Sequence, residues 1–188
     1  MEFNAVLSGR YSCRKYADTP VEREKLMACA EAGRLAPSAC NSQRWVFVLV
    51  DEEEQKKRIA DALYDDEVYV NTFAHRIPAF IVMVGHPARN PNEKQQKLLS
   101  HADFSQIDIG IAAENICLAA TDMGLGTVMM GWFREEQIQE AIGVPADLPI
   151  RLVIGVGYPE QPPINRTPRL DAGEIIRINH YNNRSEGR

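Results

Sequence analysis

A chain of 188 residues is long enough to bury a substantial core, and residues 1–188 are taken as one domain. Hydrophobic residues at 45% and charged residues at 25% are ordinary globular proportions, and no run reaches the ~18 apolar residues of a membrane span. The net charge of −5 gives no overall attraction to nucleic acid, so any anion site must be local.

The first residues hold no basic head followed by a long apolar run, so no signal peptide is expected. Cys13, Cys29, Cys40 and Cys117 lack both CxxC spacing and the density of a disulfide scaffold, which makes the cytoplasm the expected location.

In chain order, the segment from Ser8 to Tyr16 comes first, gathering Arg10, Arg14 and Lys15 beside several hydroxyls. Guanidinium forks hold phosphate oxygens in pairs, and a serine hydroxyl adds a further bond. A solvated basic turn is the plain alternative, and the segment alone leaves both open. Thr19-Pro20-Val21-Glu22 has the form of a capping box with proline at N1, so a helix is expected from there to about Leu35. Pro37 ends it, because the residue before a proline is pushed out of the α region. The loop from Ala36 to Arg44 is rich in small and amide residues, groups that can read the edge of a planar heterocycle or simply connect helix to strand.

Trp45 to Val50 reads as a strand, and Asp51 as the cap of a charged surface helix to about Leu63. Phe80 to Val84 is a second, buried strand, and His86 to Gln96 a surface loop that could act as a lid. Ile107 to Met123 is apolar around most of its circumference, which marks a central buried helix; its small residues allow close approach of another helix, and Gly124 suits the left-handed position after its end. Thr127 to Met130 is a third strand, Arg134 to Ile142 a short helix, and Arg151 to Gly155 a fourth strand. A proline-rich loop then carries Arg166 and Arg169, Glu174 to Ile178 reads as a late strand, and residues 179–188 as a frayed tail.

The four histidines are dispersed, so no metal site is expected. Neither GxGxxG after a strand nor GxxxxGK[ST] is present. Cys40 with His101 as its base has no local signature, and a structural thiol is the simpler reading. No catalytic residue is assigned.

Four blocks together resemble the flavin-dependent nitroreductase family. They are Arg10 to Tyr16; Ala36 to Trp45; Asp108 to Gly126 with Gly131-Trp132-Phe133; and Gly155 to Pro159 with Arg166-Thr167-Pro168. The resemblance runs from end to end and implies an α+β fold: a central, mostly antiparallel sheet flanked by helices, in an intertwined homodimer whose Glu174 to Ile178 strand crosses to the partner. It also implies FMN as cofactor and NADH or NADPH as co-substrate. Hydride would pass by a ping-pong route to a nitroaromatic, a quinone or a similar small acceptor.

Carried over by position, the resemblance sets Arg10, Tyr11 and Ser12 at the FMN phosphate and ribityl end. Arg14 would reach the N1/O2 edge, where a guanidinium stabilises the negative charge of the reduced ring. Pro37, Ser38, Ala39, Asn41 and Gln43 would contact the ring from the other subunit. Met129, Met130 and Gly131 would face N5 and O4, Asn71 the pyrimidine edge, and Arg166 the phosphate. Two positions depart from the family pattern: Arg44 stands where proline is common, and Ile164 where lysine is common, with Arg169 able to replace that lysine. A specialised member such as a reductive dehalogenase and a flavin-binding protein without turnover are the alternatives.

Overall fold

The computed structural model describes residues 1–89, 91–161 and 167–182. Eleven elements follow one another: α1 (Phe3–Gly9), α2 (Arg23–Arg34), β1 (Trp45–Val50), α3 (Glu53–Leu63), β2 (Ala79–Gly85), α4 (Glu93–His101), α5 (Ser105–Asp122), β3 (Gly126–Met130), α6 (Glu135–Ile142), β4 (Ile150–Gly157) and α7 (Ala172–Ile175). The strands form one sheet in the order β1-β2-β4-β3, and every neighbouring pair is antiparallel.

The period of two along β2 decides the layering. Phe80, Val82 and Val84 join the core with Ile59, Leu63 and Ile138 of α3 and α6, whereas Ala79, Ile81 and Met83 join Leu26, Ile109 and Ile116 of α2 and α5. All seven residues of β2 are buried, which is why its sequence is continuously apolar rather than alternating. Each large side chain so buried stabilises the fold by ~1.5–3 kcal/mol relative to exposure.

The long helix α5 buries Ile109, Ala112, Ala113, Ile116, Cys117 and Ala120. Helix α2 lies tightly on it at Gly33, where an added Cβ would fall 2.8 Å from Ile116 Cγ1, and Asn115 Nδ2 donates to Ala32 O at 3.2 Å. Gly124, at φ +78°, takes the left-handed geometry expected after the helix, and Leu125 N returns to Ala120 O at 2.9 Å.

Three local expectations need correction, and one helix was not expected. The helix does not start at the Thr19 capping box: α2 begins at Arg23 with Glu22 as its N-cap and no side-chain cap bond. The Glu22 carboxylate instead accepts from the Tyr158 hydroxyl at 2.7 and 3.0 Å, so it is not free to complete the box. The His86 to Gln96 loop gives way to α4 at Glu93, opened by a capping box between Asn92 and Gln95 at 2.9 and 3.0 Å. Glu174 to Ile178 is not a strand: a second such box, between Asp171 and Glu174, starts the helical turn α7, and Arg177 closes it on Gly173 O and Glu174 O. Finally, α1 precedes the basic turn, with Val6 as its one buried side chain. A helix with so narrow an apolar face leaves little periodic signal.

Candidate functional site

The basic turn is set by the edge of β3. After α1, residue Ser12 makes an isolated parallel bridge with Thr127, and Cys13 N donates to Thr127 O at 2.8 Å. Cys13 and Tyr16 point into the core at 1% and 7% exposure, so the alternation turns Ser12 and Arg14 outward. The fit on the sheet is close: a Cβ on Gly126 would meet Cys13 Cβ at 2.7 Å.

Around this turn lies a cleft of ≈ 540 Å³ lined by Leu7, Ser8, Arg10, Tyr11, Ser12, Arg14, Thr167 and Arg169. The chain thus brings its N-terminal arginines and its C-terminal arginine loop, more than 150 residues apart, to one place. Arg166 and Ile164 lie outside the described residues. Arg10 Nε sits 3.2 Å from Glu114 Oε1 of α5, Arg14 Nη1 donates to Ser12 O at 3.4 Å, and Arg169 Nη1 to Thr167 O at 3.2 Å. Burial, then the bond from its hydroxyl to Cys13 Sγ at 3.7 Å, pushes the Tyr11 phenol well above its ordinary range, so it stays a neutral donor at neutral pH.

Beside the cleft, the Arg14 guanidinium lies 5.8 Å from the centroid of the Phe73 ring. Two residues earlier, Asn71 holds a positive φ of 53° and donates through Nδ2 to Leu63 O at 3.2 Å and to Trp132 O at 3.1 Å. Asn71 and the end of β3 are therefore brought together, with Met130 buried, Met129 partly exposed, and Gly131 and Trp132 exposed. Arg14 is the side chain that links the cleft to this second group.

The loop carrying Pro37, Ser38, Ala39, Asn41 and Gln43 sits elsewhere. Ala39 N donates to Asp108 Oδ1 at 3.0 Å and Gln43 N to Ser38 Oγ at 3.0 Å, while Cys40, Asn41 and Gln43 all have positive φ. Asp108 begins α5, whereas Gly9, at the end of α1, packs on Thr121 near its other end. The cleft's own Arg10 meets α5 at Glu114, six residues or roughly 9 Å along the helix from Asp108. Within one chain the loop does not line the basic cleft. Arg44, the first departure from the family pattern, pairs with Asp103 at 3.3 Å; Asp103 is itself held below the usual carboxylate range by Ser105, with Arg44 adding to the effect.

Residues not singled out from the sequence as site builders include Asp108, Glu114, Phe73 and Trp132. A signal existed for the first two. A buried helix carries interior polar groups only where they have partners, and the partners here are the Ala39 loop for Asp108 and Arg10 for Glu114. Among the described residues no group of three or more His, Cys, Asp or Glu could hold a metal, and no helix is long and apolar enough to cross a membrane.

The nitroreductase family model matches residues 7–158, which span the basic turn, the Ala39 loop, α5 and the whole sheet. The chain belongs to the nitroreductase family. It is an oxidoreductase of that family, and its four-stranded sheet between helices is the nitroreductase fold. A nitroreductase family protein from Clostridium novyi NT, known from its crystal structure, is 30% identical and superposes with a TM-score of 0.73 over 98% of this chain and 97% of that one. The NADPH-flavin oxidoreductase of Vibrio harveyi is 30% identical over 90% of this chain and 70% of its own length. The FMN reductase [NAD(P)H] of Bacillus subtilis is 26% identical over 96% of this chain and 74% of its own length.

Proposed function

We propose that this nitroreductase family member is an FMN-dependent oxidoreductase that carries hydride from NADH or NADPH to small acceptors such as nitroaromatics and quinones, in two ping-pong half-reactions. The observation that carries this reading is the convergence of Arg10, Arg14 and Arg169 on one cleft. The guanidinium groups of Arg10 and Arg169, beside the Ser8 and Ser12 hydroxyls, suit a terminal phosphate, and Arg14 stands at the side of the cleft nearest Phe73. The neutral Tyr11 phenol adds no opposing charge.

Bound FMN would supply the hydride-carrying chemistry that no side chain here provides. The protein's part is holding and orienting. Arg10, Ser12 and Arg169 hold the phosphate and ribityl end, joined by Arg166 from the same C-terminal loop. Arg14, reaching toward Phe73, presents positive charge to the ring edge that becomes negative on reduction. The Met129 to Gly131 backbone faces the reacting edge of the ring.

The assembly is a homodimer in this reading. Because the Pro37 to Gln43 loop does not line the basic cleft of its own chain, it serves the partner's site. The exposed side chains of Ile107 and Ile111 on α5 and Met27 on α2 give the joining surface its apolar character. NAD(P)H and free thiols are both cytoplasmic, and we place the enzyme there.

Purified protein is expected to be yellow, to release FMN rather than FAD on denaturation, and to bleach on addition of NADH or NADPH. Reoxidation by a nitroaromatic or quinone should restore the colour. Colourless protein that cannot be reconstituted with FMN defeats the proposal; reduction without reoxidation by any acceptor reduces it to flavin binding. Sedimentation should give a dimer, and a monomer with full flavin occupancy contradicts the shared site.

A further inference from the structure

The C-terminus of α3 is closed by two residues that do not belong to it. A helix end leaves its last carbonyls without intrahelical partners. Here Ala60 O accepts from Tyr64 N at 2.9 Å within the chain's own turn. The next four carbonyls are taken from outside: Asp61 O by Arg134 Nη1 at 3.1 Å, Ala62 O by Arg134 N at 2.9 Å, Leu63 O by Asn71 Nδ2 at 3.2 Å, and Tyr64 O by Arg134 Nη1 at 2.8 Å. Arg134 also pairs with Asp65 through Nη2 at 3.4 Å. A guanidinium at this end matches the negative pole of the helix.

Both capping residues grip the segment that follows β3. Arg134 stands three residues after Gly131, and Asn71 uses its remaining amide proton on Trp132 O at 3.1 Å. Of this segment only Phe133 packs against the core. A Cβ on Gly131 would have nothing within 4 Å, and Trp132 is 54% exposed. The polar ties to α3 hold Gly131 and Trp132, which have no such packing. Asn71 has spent both Nδ2 protons on backbone carbonyls, which leaves Oδ1 alone to meet a ligand.

We propose that Arg134, acting with Asn71, is a positioning residue that clamps the strand end at Met130–Gly131 to α3 and so sets how that backbone lies against the cofactor ring. The clamp is visible in the protein alone; its effect on the reaction rests on the flavin reading above. Loss of the Arg134 anchor displaces the backbone without removing any group assigned to the cofactor. Displacements of about 1 Å at a reacting centre cost up to a hundredfold in rate.

The test uses full-length Arg134→Ala and Arg134→Lys, with Asn71→Ser as an independent cut of the same clamp. Amide hydrogen exchange on the flavin-free protein reads the clamp directly. Protection of the residue 134 amide, which donates to Ala62 O at 2.9 Å, should fall in Arg134→Ala and Asn71→Ser and recover in part in Arg134→Lys, whose ammonium can still donate to the α3 carbonyls. In the FMN-loaded protein, NADH reduction should slow about ten- to a hundredfold in Arg134→Ala, with KM for NADH and retention of FMN within about threefold of wild type. Unchanged protection of that amide in the alanine variant overturns the clamp. Quickened exchange with a wild-type reduction rate overturns its role in positioning, as does a lysine variant no better than alanine. Wild-type protein that takes up no FMN refutes the flavin reading, and the exchange measurement then judges the clamp alone.

Discussion

Arg10 Nε lies 3.2 Å from Glu114 Oε1, so the first arginine of the basic turn is held by the long helix rather than left loose in solvent. Only Nε is engaged, and the two terminal nitrogens remain free to hold a phosphate as a fork. The pair itself is partly exposed, and such pairs contribute ~0–1 kcal/mol. The two residues should therefore behave differently on substitution. Glu114→Gln should leave the unfolding midpoint in urea almost unchanged. Arg10→Ala should weaken FMN binding by about 1.5–3 kcal/mol, roughly 10- to 150-fold, the loss of a charge-assisted contact. Fluorescence titration of flavin-free protein with FMN measures it, and equal affinities in Arg10→Ala and wild type would remove Arg10 from the site.

The Asp108 carboxyl is buried at 3% exposure and accepts from Ala39 N at 3.0 Å. That bond ties α5 to a loop in which Cys40, Asn41 and Gln43 sit in the left-handed region, a conformation costly for residues with a Cβ, while Gln95 Nε2 holds Cys40 O at 3.1 Å from the other side. Asp108→Ala should cost about 1–3 kcal/mol, because the Ala39 donor is left unpaired. Asp108→Asn, which keeps an acceptor oxygen, should cost less. Urea denaturation of both variants gives the comparison, and equal losses would mean that the bond does not hold the loop.

Thiol accessibility gives a check on the packing of the core. Burial pushes the Cys29 thiol up to about 12 and the Cys117 thiol up to about 11, with the neighbouring Cys117 adding to the first. Cys13 is 1% exposed, and Cys40 alone among the four is not buried. At pH 8 the folded protein should react rapidly with one equivalent of a thiol reagent, at Cys40, and with four only after denaturation. Mass spectrometry of the labelled peptides identifies the site. Rapid labelling of Cys29 or Cys117 would contradict the packing of α2 against α5.

What the sequence revealed and what it concealed follow from range. The strand Trp45–Val50 and the helix over Ile107 to Met123 were legible because apolar patterning is local and strong, and both stand within two residues of their expected bounds. The Asn92–Gln95 box is equally local, but its Pro, Asn and charged neighbours give the segment the composition of a loop; the Asp171–Glu174 box is masked by the β-branched residues that follow it. The Thr19 box failed for the opposite reason. Its Glu22 is claimed by Tyr158, 136 residues away, and no window on the sequence contains that contact. The same limit applies to the site. The arginines were legible as residues, but the α3 cap made by Arg134 and Asn71 exists only once three separate segments meet.

Arg14 differs from the other cationic residues by its position. Its guanidinium leaves the cleft side for the face of Phe73, 5.8 Å from the ring centroid, toward Asn71 and the end of β3. A phosphate carries the same charge whatever the redox state of the ring, so Arg10 and Arg169 should stabilise both states alike. A cation at the ring edge instead favours the reduced state, which carries the extra negative charge. If Arg14 contributes about 1.5–3 kcal/mol to that state alone, Arg14→Ala should lower the two-electron midpoint potential by about 30–65 mV. Hydride uptake from NADH should slow with it, and FMN retention should change little. Arg169→Ala should do the reverse, loosening FMN while leaving the potential within about 10 mV of wild type. Dye-equilibrated reduction of the wild-type and variant proteins gives the potentials, and dialysis against buffer gives retention. Equal shifts of potential in the two variants would show that Arg14 lies at the phosphate end with the rest, and the split of roles between the cleft and the ring edge would fall.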